Sequence, residues 1–185
     1  NKVKVASFGA TTTVKDINLT GKINITSTGT QNVVIGVNGN DAGDDNVVIG
    51  FDAGTAIDAD GNQNIIIGSG AGKKVESSQA NILIGHSAGE NIVDSSLNVA
   101  IGRMALQDAG TTVPTNTTSN RNNIAIGYFA LANLDASGDD EAFGNTAIGS
   151  NAADSLTTGN YNVAIGYNVD ISTGVNNSVL IGYGI

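Results

Sequence analysis

The sequence has no cysteine and no tryptophan, and it holds one proline, one methionine and one histidine among 185 residues. Without cysteine the chain can form neither a disulfide framework nor a thiolate metal site, and its redox compartment stays open. Aromatic residues make up only 4% of the chain, whereas a compact enzyme core draws on more large side chains. The composition therefore points away from a compact globular enzyme.

Basic residues are also scarce, with 8 Lys and Arg against 17 Asp and Glu, so the net charge is −9. Such a chain repels a phosphate backbone, which excludes nucleic acid as a partner. Apolar runs such as Ile65–Ile67 are too short to span a bilayer, and we predict no membrane insertion. The chain begins Asn1-Lys2-Val3, with neither Met nor an apolar signal core, which we interpret as a processed or truncated piece of a longer protein.

Gly (25) and Asn (24) are abundant instead. A five-residue phrase that contains both occurs nine times, with Ser in place of Asn in its last copy. Its forms are NVVIG at 32 and 46, NIIIG at 64, NILIG at 81, NVAIG at 98, NIAIG at 123, NTAIG at 145, NVAIG at 162 and SVLIG at 178. Successive starts lie 14, 18, 17, 17, 25, 22, 17 and 16 residues apart. The repeat is a unit of about 17 residues, which is typical of a solenoid.

The spacing also divides the chain. Residues 32–185 form a repeat domain, and the two long spacings predict loop insertions near 107–122 and 135–144. Residues 1–31 lack the phrase but alternate as strands do, so we predict a separate lead-in or linker β-strand segment there.

We number each phrase from its Asn as position zero. Alternation along a strand places positions one and three on one face, and positions zero, two and four on the other. Because one unit alone cannot fold, units must stack in register, and the stripe at position three is predicted to be the structural core. Position three is Ile35, Ile49, Ile67, Ile84, Ile101, Ile126, Ile148, Ile165 and Ile181.

Position four is always glycine, which suits a sharp turn or a positive φ. These turn residues are Gly36, Gly50, Gly68, Gly85, Gly102, Gly127, Gly149, Gly166 and Gly182. The Asn at position zero suits the opposite corner, where its amide can bond local backbone and pair with the Asn of neighbouring coils as a ladder. Each phrase is therefore predicted to be a strand between two corners, and a second extended segment is predicted in each unit.

Position two is apolar as well, and strands that are apolar on both faces are buried on both faces. The predicted oligomer-interface residues are Val34, Val48, Ile66, Leu83, Ala100, Ala125, Ala147, Ala164 and Leu180. A single chain with such short units has little else to cover this second face. We therefore expect identical chains to associate along it, three around an axis, although the spacing does not fix that number.

The repeats, as in NTAIGSNAADSLTTGNYNVAIGYNV at 145–169, resemble those of bacteriophage tail-fibre proteins. They are also similar to the head repeats of trimeric autotransporter adhesins, and the resemblance covers residues 32–185. It implies a left-handed parallel β-roll, trimeric, with Ile in the core and Gly and Asn at turns. The lead-in VKDINLTGKINITSTGT resembles linker strands that precede such regions in phage fibres. The units here are longer than those of the adhesin heads, and the two insertions are irregular.

Few residues indicate chemistry. Asp58, Asp60 and Asn62 share the alternate spacing of a calcium loop, but Gln63 stands where the sharp-turn Gly belongs and Ser69 where a closing Glu belongs. Neither a metal site nor a cofactor is predicted, and these three residues are only weak candidates for calcium. His86 lacks the partners of a triad or a zinc site, so it is interpreted as a surface residue.

Carboxylates and aromatic residues are the other candidates for a functional site. Asp139, Asp140 and Glu141 share a loop that a neighbouring chain could bring near Asp154, but nothing suggests the dry pocket of a glycosidase, and no catalytic residue is predicted. Aromatic residues cluster just after the Gly of several units, which favours packing between coils over a platform for sugar rings. They are Phe51, Tyr128, Phe129, Tyr167 and Tyr183.

These features predict an all-β parallel β-roll, or β-solenoid, of about nine stacked coils, assembled as an elongated homotrimer about 40–45 Å long. The expected function is a structural segment of an extracellular fibre, most simply a phage tail fibre or spike that attaches to a host through its loops. Its partners would be further copies of itself and a glycan or protein receptor on the host cell. Three alternatives stay open: an adhesin head on a bacterial surface, a filament subunit joined by strand donation from residues 1–31, and a polysaccharide-degrading tailspike.

Overall fold

A computed structural model of the chain describes residues 32–36, 38–39, 42–109, 120–134 and 142–185. The predicted lead-in segment and most of both predicted insertions lie outside the described residues. The described part contains strands and turns but no helix. Its strands are β1 (Val33–Ile35), β2 (Val47–Ile49), β3 (Ile65–Ile67), β4 (Ile82–Ile84), β5 (Val99–Ile101), β6 (Ile124–Ile126), β7 (Thr146–Ile148), β8 (Val163–Tyr167) and β9 (Val179–Tyr183).

The nine strands form one parallel sheet in which each strand pairs with the next one along the chain. The register places equivalent repeat positions side by side, as in Ala125 beside Ala147 and Ile126 beside Ile148. Parallel neighbours require the chain to return to its starting edge after every strand, so the molecule is a β-solenoid of about eight turns. At about 4.8 Å per strand, eight steps make the sheet about 38 Å long. The predicted all-β parallel solenoid is confirmed.

The return path of each coil differs from the expected second strand. In the six units that begin at Asn46 to Asn145 it is a turn-rich segment whose sixth and eighth positions adopt left-handed backbone, as at Asp52 (φ 53°) and Gly54 (φ 55°). Its backbone still bonds to the next coil, since the Gly70 N–H donates to the Phe51 carbonyl at 2.8 Å and the Gly72 N–H to the Ala88 carbonyl at 3.0 Å. Alternating left-handed residues tighten the path, which lets a short segment close the coil.

Glycine at position four is required by close stacking between coils. Gly127 has φ 137°, and a Cβ on it would lie 2.3 Å from the Gly149 carbonyl oxygen of the next coil. The same conflict, with positive φ, recurs for the position-four glycines from Gly36 to Gly166, whereas Gly182 has no positive φ. Positive φ, one of the two predicted reasons for glycine, is therefore found at eight of the nine positions. The chain bends at the seven glycines from Gly36 to Gly149, whereas Gly166 and Gly182 lie within β8 and β9.

The asparagines at position zero form the predicted ladder, and they also close each coil. Asn123 Oδ1 accepts the N–H of Asn145 at 2.9 Å, while Asn123 Nδ2 donates to the Ala142 carbonyl at 2.9 Å. That carbonyl lies three residues before the next Asn, so one amide spans the start and the end of its own coil. The Oδ1-to-N–H bond recurs from Asn32 to Asn162, and Ser178 supplies the last N–H. Seven of these asparagines are buried, and the ladder satisfies their polar atoms.

The core runs through the middle of the coils and consists of a few columns of small and aliphatic side chains. Position two contributes one column, and position seven contributes a column of Ala that ends in Val169. A third column completes the interior: Ile57, Val75, Ile92, Ala109, Leu134 and Leu156. Because each column repeats in every coil, side chains stack on their own equivalents, and nearest-neighbour contacts hold the solenoid together.

Candidate functional site: the outer face of the sheet

The two faces of the sheet are reversed relative to the prediction. Position two, predicted as the oligomer interface, points into the chain's own core, where Ala125 and Ala147 are fully buried. In that column Val48, Ile66, Leu83, Ala100 and Ala164 are equally buried, and Val34 and Leu180 at the two ends pack against the core. The isoleucines predicted as the core instead lie on the outer face. The physical reason is the alternation of side chains along the strand, which places position two on the same face as the Asn at position zero. The hydrogen bonds of that Asn to the end of its own coil run through the interior, so position two faces inward as well.

A sequence signal for the inner face exists and was missed. In the three units with a large position two at Val48, Ile66 and Leu83, position eight is glycine, as with Ile66 followed by Gly72. Where position two is Ala, position eight becomes larger, as with Ala100 followed by the buried Leu106. A Cβ on Gly72 would lie 3.1 Å from Cδ1 of Ile66, so both positions share one interior volume. A large side chain at one of the two positions is therefore matched by a small one at the other, as a close-packed interior requires.

The outer face presents a continuous apolar strip, which we call the outer strip, made of positions one and three in all nine strands. None of these eighteen side chains is buried by the chain itself, and seventeen of them are Val or Ile, with Thr146 as the exception. Exposure is 37% at Ile148 and reaches 67% at Val179. About 38 Å long and roughly 10 Å wide, the strip projects to about 400 Å², comparable to the largest patches on typical monomers before side-chain relief is added.

Position five continues the outer strip at one margin, because β8 and β9 extend through their glycines to Tyr167 and Tyr183. These two rings stack with centroids 5.4 Å apart and planes 18° from parallel. In the same column the Arg103 guanidinium carbon lies 5.5 Å from the Tyr128 ring centre, an attractive cation–π contact. The predicted packing of aromatics between coils is therefore present for Tyr167 and Tyr183, and both rings keep exposed faces.

The weak calcium candidates serve as braces between coils. Asp58 accepts the Asp60 N–H at 2.9 Å through Oδ1 and the Ser77 hydroxyl at 2.7 Å through Oδ2. Asn62 Oδ1 accepts the Asp44 N–H at 2.6 Å. Oxygens that a cation would need are thus engaged by protein donors, and across the described ranges no group of three His, Cys, Asp or Glu is placed to hold a metal. The side-chain oxygens of Asp58 and Asn62 therefore serve contacts within the protein.

Asp139, Asp140 and Glu141 lie outside the described residues, and His86 is exposed in the position-five column. Burial, together with the nearby Asp170, raises the pKa of Asp154 above its ordinary value. These two carboxylates belong to consecutive coils, where the Asp170 Oδ1 accepts the N–H of Ser155 at 3.3 Å. The part of the chain that is described includes no helix able to cross a membrane.

Comparisons with protein-family models, with curated proteins and with solved structures found no match to this chain.

Proposed function

We propose that this chain is a structural segment of an extracellular, homotrimeric fibre, most simply a phage tail fibre or spike that takes part in host attachment. Its role is mechanical and it carries no catalytic step. The outer strip carries the proposal, since a stiff, narrow solenoid with one apolar face along its whole length needs a cover of the same length. The resemblance of the N-x-[VA]-I-G repeats to phage fibres and trimeric adhesin heads supports three copies with left-handed coils.

Further copies of the same chain provide the simplest cover. A stable interface buries about 800 Å² on each partner. The outer strip projects to about 400 Å², and the relief of its side chains and the aromatic margin add to that area. Three strips facing one axis would hide all of this apolar surface, and β-branched side chains stacked in register would interdigitate across the axis. The interface predicted at position two is therefore moved to positions one and three.

Sedimentation of the purified chain tests the assembly directly. We expect a particle with the mass of three chains at micromolar concentration, and a monomer that leaves the outer strip in water would contradict the proposal. The substitution Ile148→Asp places three carboxylates around the axis and should reduce the particle to single chains, because an unpaired charge is costly to bury.

Two controls separate assembly from folding. Ala59→Asp adds the same charge at an exposed loop position and should leave the trimer intact. Ala147→Asp puts the charge inside the coil, where Ala147 is fully buried, and should unfold the chain rather than dissociate it. Circular dichroism of each variant distinguishes these outcomes. If Ala147→Asp gave folded monomers while Ile148→Asp stayed trimeric, the interface would be at position two after all.

Attachment needs its own experiment. A fluorescently labelled trimer should decorate the surface of susceptible bacteria if it is a phage fibre, whereas an adhesin head should decorate animal cells or matrix. Capsid and baseplate genes next to the coding sequence would support the phage origin, and absence of binding to every bacterial surface tested would argue against a role in host attachment.

A further inference from the structure

A surface pocket of about 380 Å³ opens beside the sheet on the later coils, within the size range of ligand sites. Its lining residues are Arg121, Asn122, Phe143, Gly144 and Tyr161. They precede the phrases of three consecutive coils, at the last two positions before the phrase in the first two coils and at the last position in the third. Arg121 and Asn122 end the first predicted loop insertion, while Phe143 and Gly144 end the second.

The pocket lies where the chain departs from its own repeat. Two positions before the phrase, other described units carry short polar residues: Asp44, Asn62, Gln79, Ser96, Asn160 and Asn176. Several of these accept the N–H of the preceding coil, as Asn176 Oδ1 does for Asn160 at 2.6 Å. Arg121 and Phe143 cannot accept such bonds. Two consecutive coils thus lose a stabilising contact, which is a departure expected at a functional site.

The residues are held rigidly in place. The Gly144 N–H donates to the Arg121 carbonyl at 3.1 Å, and the Tyr161 N–H donates to the Phe143 carbonyl at 3.0 Å. The Phe143 and Tyr161 rings meet edge to face, with centroids 4.9 Å apart and planes at 85°. A Cβ on Gly144 would lie 2.8 Å from Cδ1 of Tyr161, so only glycine lets that ring approach the backbone.

The charge of the pocket is unusual for this molecule. Arg121 is exposed, and among the described residues no carboxylate pairs with its guanidinium, although the chain as a whole carries a net charge of −9. A planar guanidinium is suited to bidentate recognition of a carboxylate. Tyr161, which is 57% exposed, offers an open ring face and a hydroxyl to the same space.

We propose that this pocket binds an acidic saccharide, with the carboxylate of a uronic-acid-type sugar on Arg121 and a sugar ring packed against Tyr161 and Phe143. Two steps between coils separate Arg121 from Tyr161, a distance of about 10 Å that suits two linked sugar rings. Asn122 supplies an exposed amide for sugar hydroxyls. In the proposed fibre this pocket is the site that contacts the receptor. The biological meaning of the inference therefore rests on the proposed attachment function.

A matched pair of trisaccharides tests the chemistry. Cellotriose and β-1,4-linked triglucuronate share their backbone and differ in the carboxylates, so isothermal titration with the full-length chain isolates the contribution of charge. We expect triglucuronate to bind at least about tenfold more tightly, because hydrogen bonds to charged groups are stronger than neutral ones. Hexaglutamate serves as a ligand with charge but no sugar ring, and it should bind more weakly than triglucuronate.

Variants that introduce a residue already present at the equivalent position of another unit are expected to keep the fold. Arg121→Gln introduces the residue found at the equivalent Gln79, and it should abolish the preference for triglucuronate over cellotriose. Tyr161→Asn introduces the residue found at the equivalent Asn122 and Asn177, where φ is also positive, and it should weaken both saccharides about fivefold. Arg103→Gln removes a cation on the other side of the phrase and should change neither affinity.

The titrations and variants can each contradict the proposed saccharide site. Equal affinities for the two saccharides, absence of binding, tighter binding of hexaglutamate, or an equal loss in Arg103→Gln would overturn the inference. Sedimentation of the same samples keeps it distinct from the fibre proposal. A trimer that binds neither saccharide refutes the pocket alone, whereas a monomer that discriminates between them refutes the trimer alone.

Discussion

At the scale of single residues, a polar side chain rather than an apolar one sets the direction of each strand. Buried Asn123 contacts the coils on both sides and the end of its own coil, and every one of these contacts needs the interior. An amide at position zero therefore turns position two inward. The outward direction of Ile126 follows from this and not from the hydrophobicity of Ile itself.

Asn123→Ala tests this role. The substitution leaves the Asn145 N–H and the Ala142 carbonyl without their partners in a buried environment, at about 1–3 kcal/mol for each group. We expect the free energy of unfolding in urea to fall by about 2–6 kcal/mol at fixed protein concentration. The neighbouring Asn122→Ala should cost less than about 1 kcal/mol, because Asn122 is exposed and Ala80 already occupies the equivalent left-handed position. Similar losses for both variants would show that the ladder contributes little.

At the scale of coils and strands, stacking in register brings like residues together, which is favourable for Ile over Ile and unfavourable for one acid beside another. Close stacking also brings together like charges at positions that are not equivalent, as with Asp154 at position nine and Asp170 at position eight on the return segments of consecutive coils. Partial burial and the neighbouring carboxylate raise the pKa of Asp154 in the folded chain above its unfolded value. The folded chain therefore binds this proton more tightly, and stability is lost as the pH rises through the folded pKa.

Asp154→Asn removes that penalty. We expect its melting temperature to exceed that of the unsubstituted chain at pH 7, and the difference to vanish near pH 3, where the carboxyl is protonated in both states. Glu76→Gln changes the net charge equally at an exposed position and should shift the melting temperature less. A difference between Asp154→Asn and the unsubstituted chain that grows on acidification would contradict the sign of the pKa shift.

The same scale shows how far the sequence could be interpreted. Strand positions, register and the need for Gly127 follow from spacing and from the absence of a side chain, and these predictions are confirmed. Alternation separated Ala147 from Ile148 but could not say which of them faces inward, because both faces are apolar. The return segment was mistaken for a strand since its left-handed residues, such as Leu106 and Phe129, are not ones that favour that conformation. The pocket was missed because Arg121 and Phe143 stand out only once the coils are aligned.

At the scale of the whole molecule, nearest-neighbour stacking makes the solenoid modular. Deleting residues 81–97 removes one complete unit and joins Ala80 to Asn98, which restores an equivalent junction. We expect this variant to fold, to keep its oligomeric state, and to be about 4.8 Å shorter in small-angle scattering.

Deleting residues 89–97 instead provides the contrast. This shorter deletion keeps β4 but removes most of its return path, so the coil cannot close and the core column loses Ile92. We expect a clear loss of melting temperature, or no folded protein. Equal stability of the two deletion variants would mean that coils are not independent units.

The direction of the hydrogen bonds between coils has a mechanical consequence. They lie along the axis of the solenoid, so tension on the two ends pulls strand, return segment and Asn ladder apart at the same step rather than sliding them past one another. Detachment then proceeds one coil at a time, and each released coil of about 17 residues lengthens the chain by up to about 58 Å. A sudden load is thus taken up by a series of small unfolding steps, while the remaining coils keep their shape.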